Sequence, residues 1–488
     1  MTTKSEKPDK PADQAADQPA PIEDNIVQRE HTITLNGETI DYRSIVGTLV
    51  QKDYEQDKPK SSIFFTAYFK QGVADPADRP LLICFNGGPG SSSIWLHMGM
   101  LGPRRALSGD VGNQLPPPYG LTDNEYSLLD VADMLFIDPV STGYSRPAPG
   151  EEAKQFHGLE PDLESVGEFI RLFITRYDRW LSPKYLVGES YGTTRAAGLA
   201  GHLQTRHGIY LNGLALISMV LDFQTLVFNE NNELPYVLFL PTYAATAWYH
   251  GQIADDAAPD LETLLAEVEA FAQGEYAAAL FQGAALPPAQ RADIIARLAR
   301  YTGLAEAYID AAELRPEIFR FTRELLRDQR RTVGRLDSRF TGMERDAVGE
   351  RISYDPSYPP LQGSYTAAFN DYVRRELGYR VDLPYEALTS LYEKWSYDKH
   401  KNRFAEVAET LRSAMTQNPA LKVYVACGYY DLATPYFAAE YTLNHLMLDP
   451  TLRANISQGY FPAGHMMYVH PESLARVNED VRALIRNR

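Results

Sequence analysis

Cysteine is nearly absent: Cys84 and Cys427 are the only two in 488 residues. Each sits in an apolar, strand-like run, "PLLICFNG" and "LKVYVACG", so both are expected as buried thiols and a disulfide framework is excluded. Long apolar runs are missing as well. None approaches the ~18 residues that a membrane-spanning helix needs, which predicts a soluble chain. Cationic residues are in the minority, 47 Lys plus Arg against 64 Asp plus Glu, for a formal net charge of −17. That balance argues against a nucleic-acid surface and against docking on an anionic membrane, because both partners would be repelled. The N-terminus lacks the apolar core of a signal peptide. "MTTKSEKPDKPADQAADQPAPIED" is rich in Pro, Asp, Lys and Gln, and residues 1–28 are expected as a disordered tail. On that ground the cytoplasm is the default location, with a periplasmic or secreted protein as the alternative if a leader was missed or trimmed. His465 and His470 are five apart and lack a third ligand, so neither a metal nor a cofactor is expected.

What is present is ample material for a core, 44% hydrophobic and 11% aromatic residues. "TITLNGETIDYRSIVGTLV" and "SSIFFTAYFK" alternate apolar and polar residues around an Asn-Gly turn, the pattern of antiparallel strands at a sheet edge. Further on, "PLLICFNG", "DMLFIDPV", "KYLVGES", "GLALISMV" and "KVYVACG" are nearly continuous apolar runs, as strands covered on both faces require. Helical patterns at 162–180, after Ser190 and at 435–446 alternate with them. The expectation is an α/β fold with a mostly parallel central sheet flanked by helices. Residues 222–403 break the alternation with patterns such as "LETLLAEVEAFAQGEYAAALF". They are read as a mainly helical cap insertion between core segments 29–221 and 404–488. Trp248, Tyr243 and Phe340 within it are expected in its core more than in a pocket.

Chemistry is suggested by "LVGESYGT" at 186–193. A strand reaches Ser190, glycines flank it, and a helix follows, which is the strand–turn–helix elbow that exposes a nucleophilic hydroxyl. A nucleophilic serine needs a base and an orienting carboxylate later in the chain. Asp431 follows the strand "LKVYVACGYYD", and His465 lies in "YFPAGHMMYVHPE" before the final helix. Each also has a plainer reading, Asp431 as a helix initiator and His465 as a structural loop residue. "FNGGPGSSS" at 85–93 leaves backbone N–H groups uncovered, as an oxyanion hole needs, or is a simple Pro-Gly turn.

Together these segments resemble the serine carboxypeptidase family, peptidase family S10, of the α/β-hydrolase fold. The resemblance rests on "NGGPGSSS" (86–93), "LGP" (101–103), "DPVSTGYS" (138–145), "GESYG" (188–192), Asp431 and "GHM" (464–466). It implies Ser190 as nucleophile, His465 as general base and Asp431 as its orienter. It further implies the N–H groups of Gly88 and Tyr191 as oxyanion hole, and Asn86 with Glu189 as receptor for a peptide's free C-terminal carboxylate. Glu189 has a second reading, since other esterases of this fold keep a buried structural Glu before the nucleophile. The implied substrates are peptides with a free C-terminus, and oligomeric state is left open.

The match departs from the family where Trp is usual two residues before the loop Asn and Glu directly before Leu-Gly-Pro. Here those positions are Cys84 and Met100. Both normally belong to the network around the substrate carboxylate. The family's usual Cys in the loop is Ser91. A serine carboxypeptidase is therefore the leading expectation, an esterase or acyltransferase the alternative, and a non-catalytic binding protein the third.

Overall fold

The computed structural model describes residues 22–53, 55–253 and 260–487. The greater part of the expected tail lies outside these residues, but its end is corrected: a strand begins at Asn25. The strand Asn25–Leu35 turns at Asn36 and Gly37, both with positive φ, into Glu38–Asp53. Lys58–Lys70 continues the antiparallel run, as the Asn-Gly signal and the period-2 patterning predict.

Among the described residues ten strands form the main sheet, in the order 25–35, 38–53, 58–70, 133–137, 81–85, 184–189, 213–217, 422–428 and 456–461, with 146–147 pairing beside 58–70. From 133–137 onward every neighbouring pair is parallel. All five continuous apolar runs are strands in it. The short stretch before His465 is a sixth parallel strand, Ile456–Phe461, whose exposed Ser457 and Gln458 hid it from an apolar count. This is the α/β-hydrolase fold.

A parallel strand delivers alternate residues to two cores. Leu81, Ile83 and Phe85 enter one, which also holds side chains of helices Leu159–Arg176, Tyr191–His207 and Ala408–Gln417. Leu82 and Cys84 enter the other, with Tyr358–Arg375 and Pro471–Arg486. Cys84 and Cys427 are buried free thiols in different cores. The helix expected at 162–180 runs 159–176, because Asp178 takes a positive φ and Arg179 N–H closes back on Ile174 O. Among the described residues no helix is long and apolar enough to cross a membrane.

Residues 222–403 hold helices from Leu234–Tyr249 to Ile318–Glu324, then a two-stranded ribbon, Arg331–Val333 with Thr341–Met343. The helices of 234–324 join the first core, whereas Tyr358–Arg375 packs in the second, across the sheet. The region therefore serves both faces. Tyr243 and Phe340 are buried, but Trp248 is 38% exposed, contrary to expectation.

One buried ion pair ties the site-bearing elements together. Arg195, on the helix after Ser190, donates to Asp162 Oδ2 at 2.7 Å and to the carbonyl of Asn86. Both side chains are almost fully excluded from water. Removing one partner strands the other charge, so Asp162→Ala is expected to cost about 3–5 kcal/mol, read as a lower urea midpoint at unchanged slope.

Candidate active site

The carboxyl ends of the parallel strands are level. Glu189 pairs with Ile217, Ile217 with Ala426, and Gly428 with Phe461. The chain therefore leaves the sheet at Asn86, Ser190, Ser218, Tyr429 and Pro462 along one edge, where open α/β sheets place their sites.

Ser190 stands at φ 59, ψ −130 between the strand Lys184–Glu189 and the helix Tyr191–His207. A non-glycine residue with positive φ is strained and persists only where its surroundings hold it. Here its N–H donates to Ile217 O at 2.9 Å, and its carbonyl accepts from Thr193 N–H at 2.8 Å and Thr193 Oγ1 at 2.7 Å. The flanking glycines are needed because a Cβ at Gly188 would lie 2.2 Å from Gly192 O, and one at Gly192 would lie 2.8 Å from Phe85 O. Gly87 closes the same knot, since its Cβ would meet Tyr191 N at 2.4 Å. The loop 86–90 thus lies directly on the elbow. Gly88 has φ +103, and Tyr191 is the first residue of its helix, so the two expected oxyanion donors belong to touching segments. The Tyr191 ring is fixed by Trp395, whose Nε1–H donates to the phenol oxygen at 3.0 Å.

His465 Nδ1 lies 2.8 Å from Asp431 Oδ2, and both are buried. Asp431 also accepts from the N–H groups of Ala433 and Thr434 at 2.7 and 3.0 Å and from Thr434 Oγ1 at 2.7 Å. The helix-initiator reading of Asp431 does not hold, since the helix starts five residues later, at Tyr436. Ser218 Oγ donates to the His465 carbonyl at 2.7 Å, and Ser218 follows the Ile217 that holds Ser190. Ser190 and His465 are therefore joined through adjacent residues of one strand end.

A segment without any sequence signal clamps both loops. Leu336 O accepts from His465 N–H at 2.6 Å, Arg335 O from Leu432 N–H at 3.0 Å, and Ser338 N–H donates to Tyr430 O at 3.0 Å. Asp355 holds this segment by accepting from the N–H groups of Arg335 and Leu336. Asp337 braces Gly464 N–H and pairs with Arg339.

Glu189 and Asn86 are also brought together, both buried. Tyr468 Oη donates to Glu189 Oε2 at 2.7 Å. Asn86 Oδ1 accepts from Leu96 N–H at 3.1 Å, which turns Nδ2 toward Glu189 and Tyr468, where it lacks a well-formed hydrogen bond. Cys84 and Met100 do not enter this network; both are fully buried in the apolar second core. The tyrosine that does enter it lies three residues past His465, a spacing no motif flagged.

Burial pushes the Glu189 carboxyl up to about 7, against the opposing pull of His465, Tyr468 and Asn86, with Asp431 adding to the rise. Burial alone would lower His465, but the charge and hydrogen bond of Asp431 and the charge of Glu189 outweigh it and raise the imidazole above its ordinary value, Arg335 opposing. A raised carboxyl value means that the folded state holds this proton more tightly than the unfolded chain. That stability is complete below the ordinary 4.5 and is lost as pH rises through about 7. Glu189→Gln keeps an acceptor for Tyr468 without the charge. It is expected to be more stable than the parent above neutrality, by roughly 1–3 kcal/mol, and to converge with it near pH 4 in thermal melts.

A family model for serine carboxypeptidases matches residues 50–460. Among curated proteins, Serine carboxypeptidase-like 45 of Arabidopsis thaliana is 26% identical over 207 residues, 41% of this chain and 39% of that protein. Serine carboxypeptidase-like 19 of the same plant is 33% identical over 131 residues, 25% of this chain and 26% of that protein. These alignments span well under half of the relatives' length. Among solved structures, Kex1(delta)p, a prohormone-processing carboxypeptidase from Saccharomyces cerevisiae, covers 94% of this chain and 91% of its own at TM-score 0.56 and 16% identity, a likeness of fold. With the family model spanning most of its length and the sheet order and elbow in place, the chain belongs to the serine carboxypeptidase family.

Proposed function

We propose that this protein is a serine carboxypeptidase that removes single residues from the C-termini of peptides through an acyl-enzyme on Ser190. The observation that supports it most is the placement of a buried, proton-holding Glu189 beside Asn86, one residue from the strained Ser190 and within the field of His465.

In this reading Ser190 Oγ attacks the carbonyl carbon of the last peptide bond and passes its proton to His465 Nε2. Asp431 Oδ2 receives the Nδ1–H, fixing the tautomer and balancing the imidazolium. The oxyanion takes hydrogen bonds from the N–H groups of Gly88 and Tyr191, the latter at the positive end of a 17-residue helix. Collapse breaks the C–N bond as His465 returns the proton to the leaving amine. Water, deprotonated by His465, then releases the acyl group and restores Ser190.

The departing residue's carboxylate is recognised by Asn86 Nδ2 and the proton on Glu189. Two facing carboxylates cannot both stay charged cheaply, so Glu189 must be protonated while His465 is neutral. Each proton disfavours the other: protonating Glu189 removes a charge that raises His465. Turnover of free acids is therefore confined to a band bounded above by Glu189 and below by His465.

The alternative, an esterase or acyltransferase, draws on one observation: Cys84 and Met100 lie in the apolar core and supply no donor to a substrate carboxylate. An N-blocked dipeptide, its C-terminal amide and its ester, assayed from about pH 4 to 9, separate the two. A carboxypeptidase cleaves the free acid best, with kcat/KM rising as pH falls through the Glu189 limb until His465 takes up its own proton, while the ester lacks the Glu189 limb. Cleavage of the ester with the free acid ignored at every pH would establish the esterase instead. Ser190→Ala is expected to lose at least about a thousandfold of either activity.

A further inference from the structure

Glu189 has two oxygens, and the structure treats them differently. Oε2 accepts the Tyr468 hydroxyl at 2.7 Å. Burial raises that hydroxyl well above the ordinary tyrosine value, so Tyr468 keeps its proton throughout the working range and has a hydrogen to donate in both protonation states of Glu189. Its ring cannot drift. Tyr468 sits on the turn Met467–Val469, three residues after His465, and is 3% exposed. It shares a cradle with Tyr365 of the helix Tyr358–Arg375, and that cradle exists because residue 99 has no side chain. A Cβ on Gly99 would stand 2.4 Å from the Tyr365 hydroxyl and 2.6 Å from the Tyr468 ring. The neighbouring Met100 is apolar and buried in the same cluster, so the polar contacts to Glu189 come from elsewhere.

We infer that Tyr468 is the positioning residue of the carboxylate-recognition site: by donating to Glu189 Oε2 it reserves Oε1 for the proton that meets a peptide's terminal carboxylate. This rests on the assignment of Asn86 and Glu189 as the receptor for that carboxylate. A carboxylic acid can carry its proton on either oxygen, and a permanent donor at one oxygen makes that oxygen an acceptor in both protonation states. The remaining O–H is then left to the side of the site shared with Asn86, whose Nδ2 is a buried donor without a well-formed partner. The charged and titratable groups that face Glu189 are His465, Asp431, Tyr468 and, across the cradle, Tyr365, with the Asn86 amide beside them. Of the titratable groups among these, Tyr468 is the one that donates to the carboxylate through a well-formed hydrogen bond while keeping its own proton in both states.

The test is the pH dependence of kcat/KM for an N-blocked dipeptide acid and its methyl ester, in the parent, Tyr468→Phe, Glu189→Gln and the double variant. Loss of the donor removes an interaction that favours ionised Glu189, so the alkaline limb for the free acid is expected to move up by about one pH unit in Tyr468→Phe. KM for the free acid is expected to rise roughly tenfold with a smaller change in kcat, as for the loss of one directing hydrogen bond. The ester's profile keeps its limbs. In Glu189→Gln the free-acid alkaline limb disappears, and adding Tyr468→Phe brings no further shift. A free-acid limb that stays in place in Tyr468→Phe, or moves together with the ester's, overturns the inference. Persistence of that limb in Glu189→Gln overturns instead the assignment of Glu189 on which it rests. Should Tyr468→Phe fail to fold, Gly99→Ala displaces the same ring and is expected to raise KM for the acid selectively; equal losses on acid and ester would count against the inference.

Discussion

The site depends on a close backbone approach. Three stretches of main chain, at Gly87, Gly188 and Gly192, meet within distances that leave no room for a Cβ, and the contact forces Ser190 into a conformation that L-residues avoid. Strain of that kind costs about 1–3 kcal/mol and must be held by its surroundings. The holding contacts are visible: Ile217 O, the Thr193 hydroxyl and amide, and, one layer out, Arg195, which bridges Asp162 and the carbonyl of Asn86. A single arrangement therefore sets the serine, the loop bearing Gly88, and the helix dipole behind Tyr191.

Electrostatics then give the site two neighbouring proton-binding groups. His465 is tied to Asp431 and clamped from behind by Arg335–Ser338, and Glu189 is buried against Tyr468 and Asn86. The two share a field, so neither titrates independently. Burial pushes the Glu189 carboxyl up to about 7, so its ionised form costs stability above that pH.

Much of this was legible in the sequence because short-range rules govern it. Continuous apolar runs marked the parallel strands, "LVGESYGT" marked the elbow, and the order of Ser190, Asp431 and His465 followed the fold. What stayed hidden is fixed by long-range packing. By sequence Asp162 is one of two acids in a helix's first turn, and only the fold sets Arg195 beside it. Residues 334–340 show no periodicity, since their function is to offer backbone groups to loops about a hundred residues away. Tyr468 was in plain view beside His465, but its role depends on Gly99 being small and on Tyr365 from a region read as cap. Helical periodicity does not say which face of a sheet a helix will cover, and Tyr358–Arg375 covers the face opposite to its predecessors.

An activated nucleophile at Ser190 is what every proposed step requires. Incubation of the folded protein with a serine-directed phosphonylating reagent, followed by peptide mapping, measures this without any assumption about substrate. A single adduct on Ser190 is expected, formed at a rate that collapses in His465→Ala. An unlabelled Ser190 in folded protein, or labelling indifferent to His465, would contradict it.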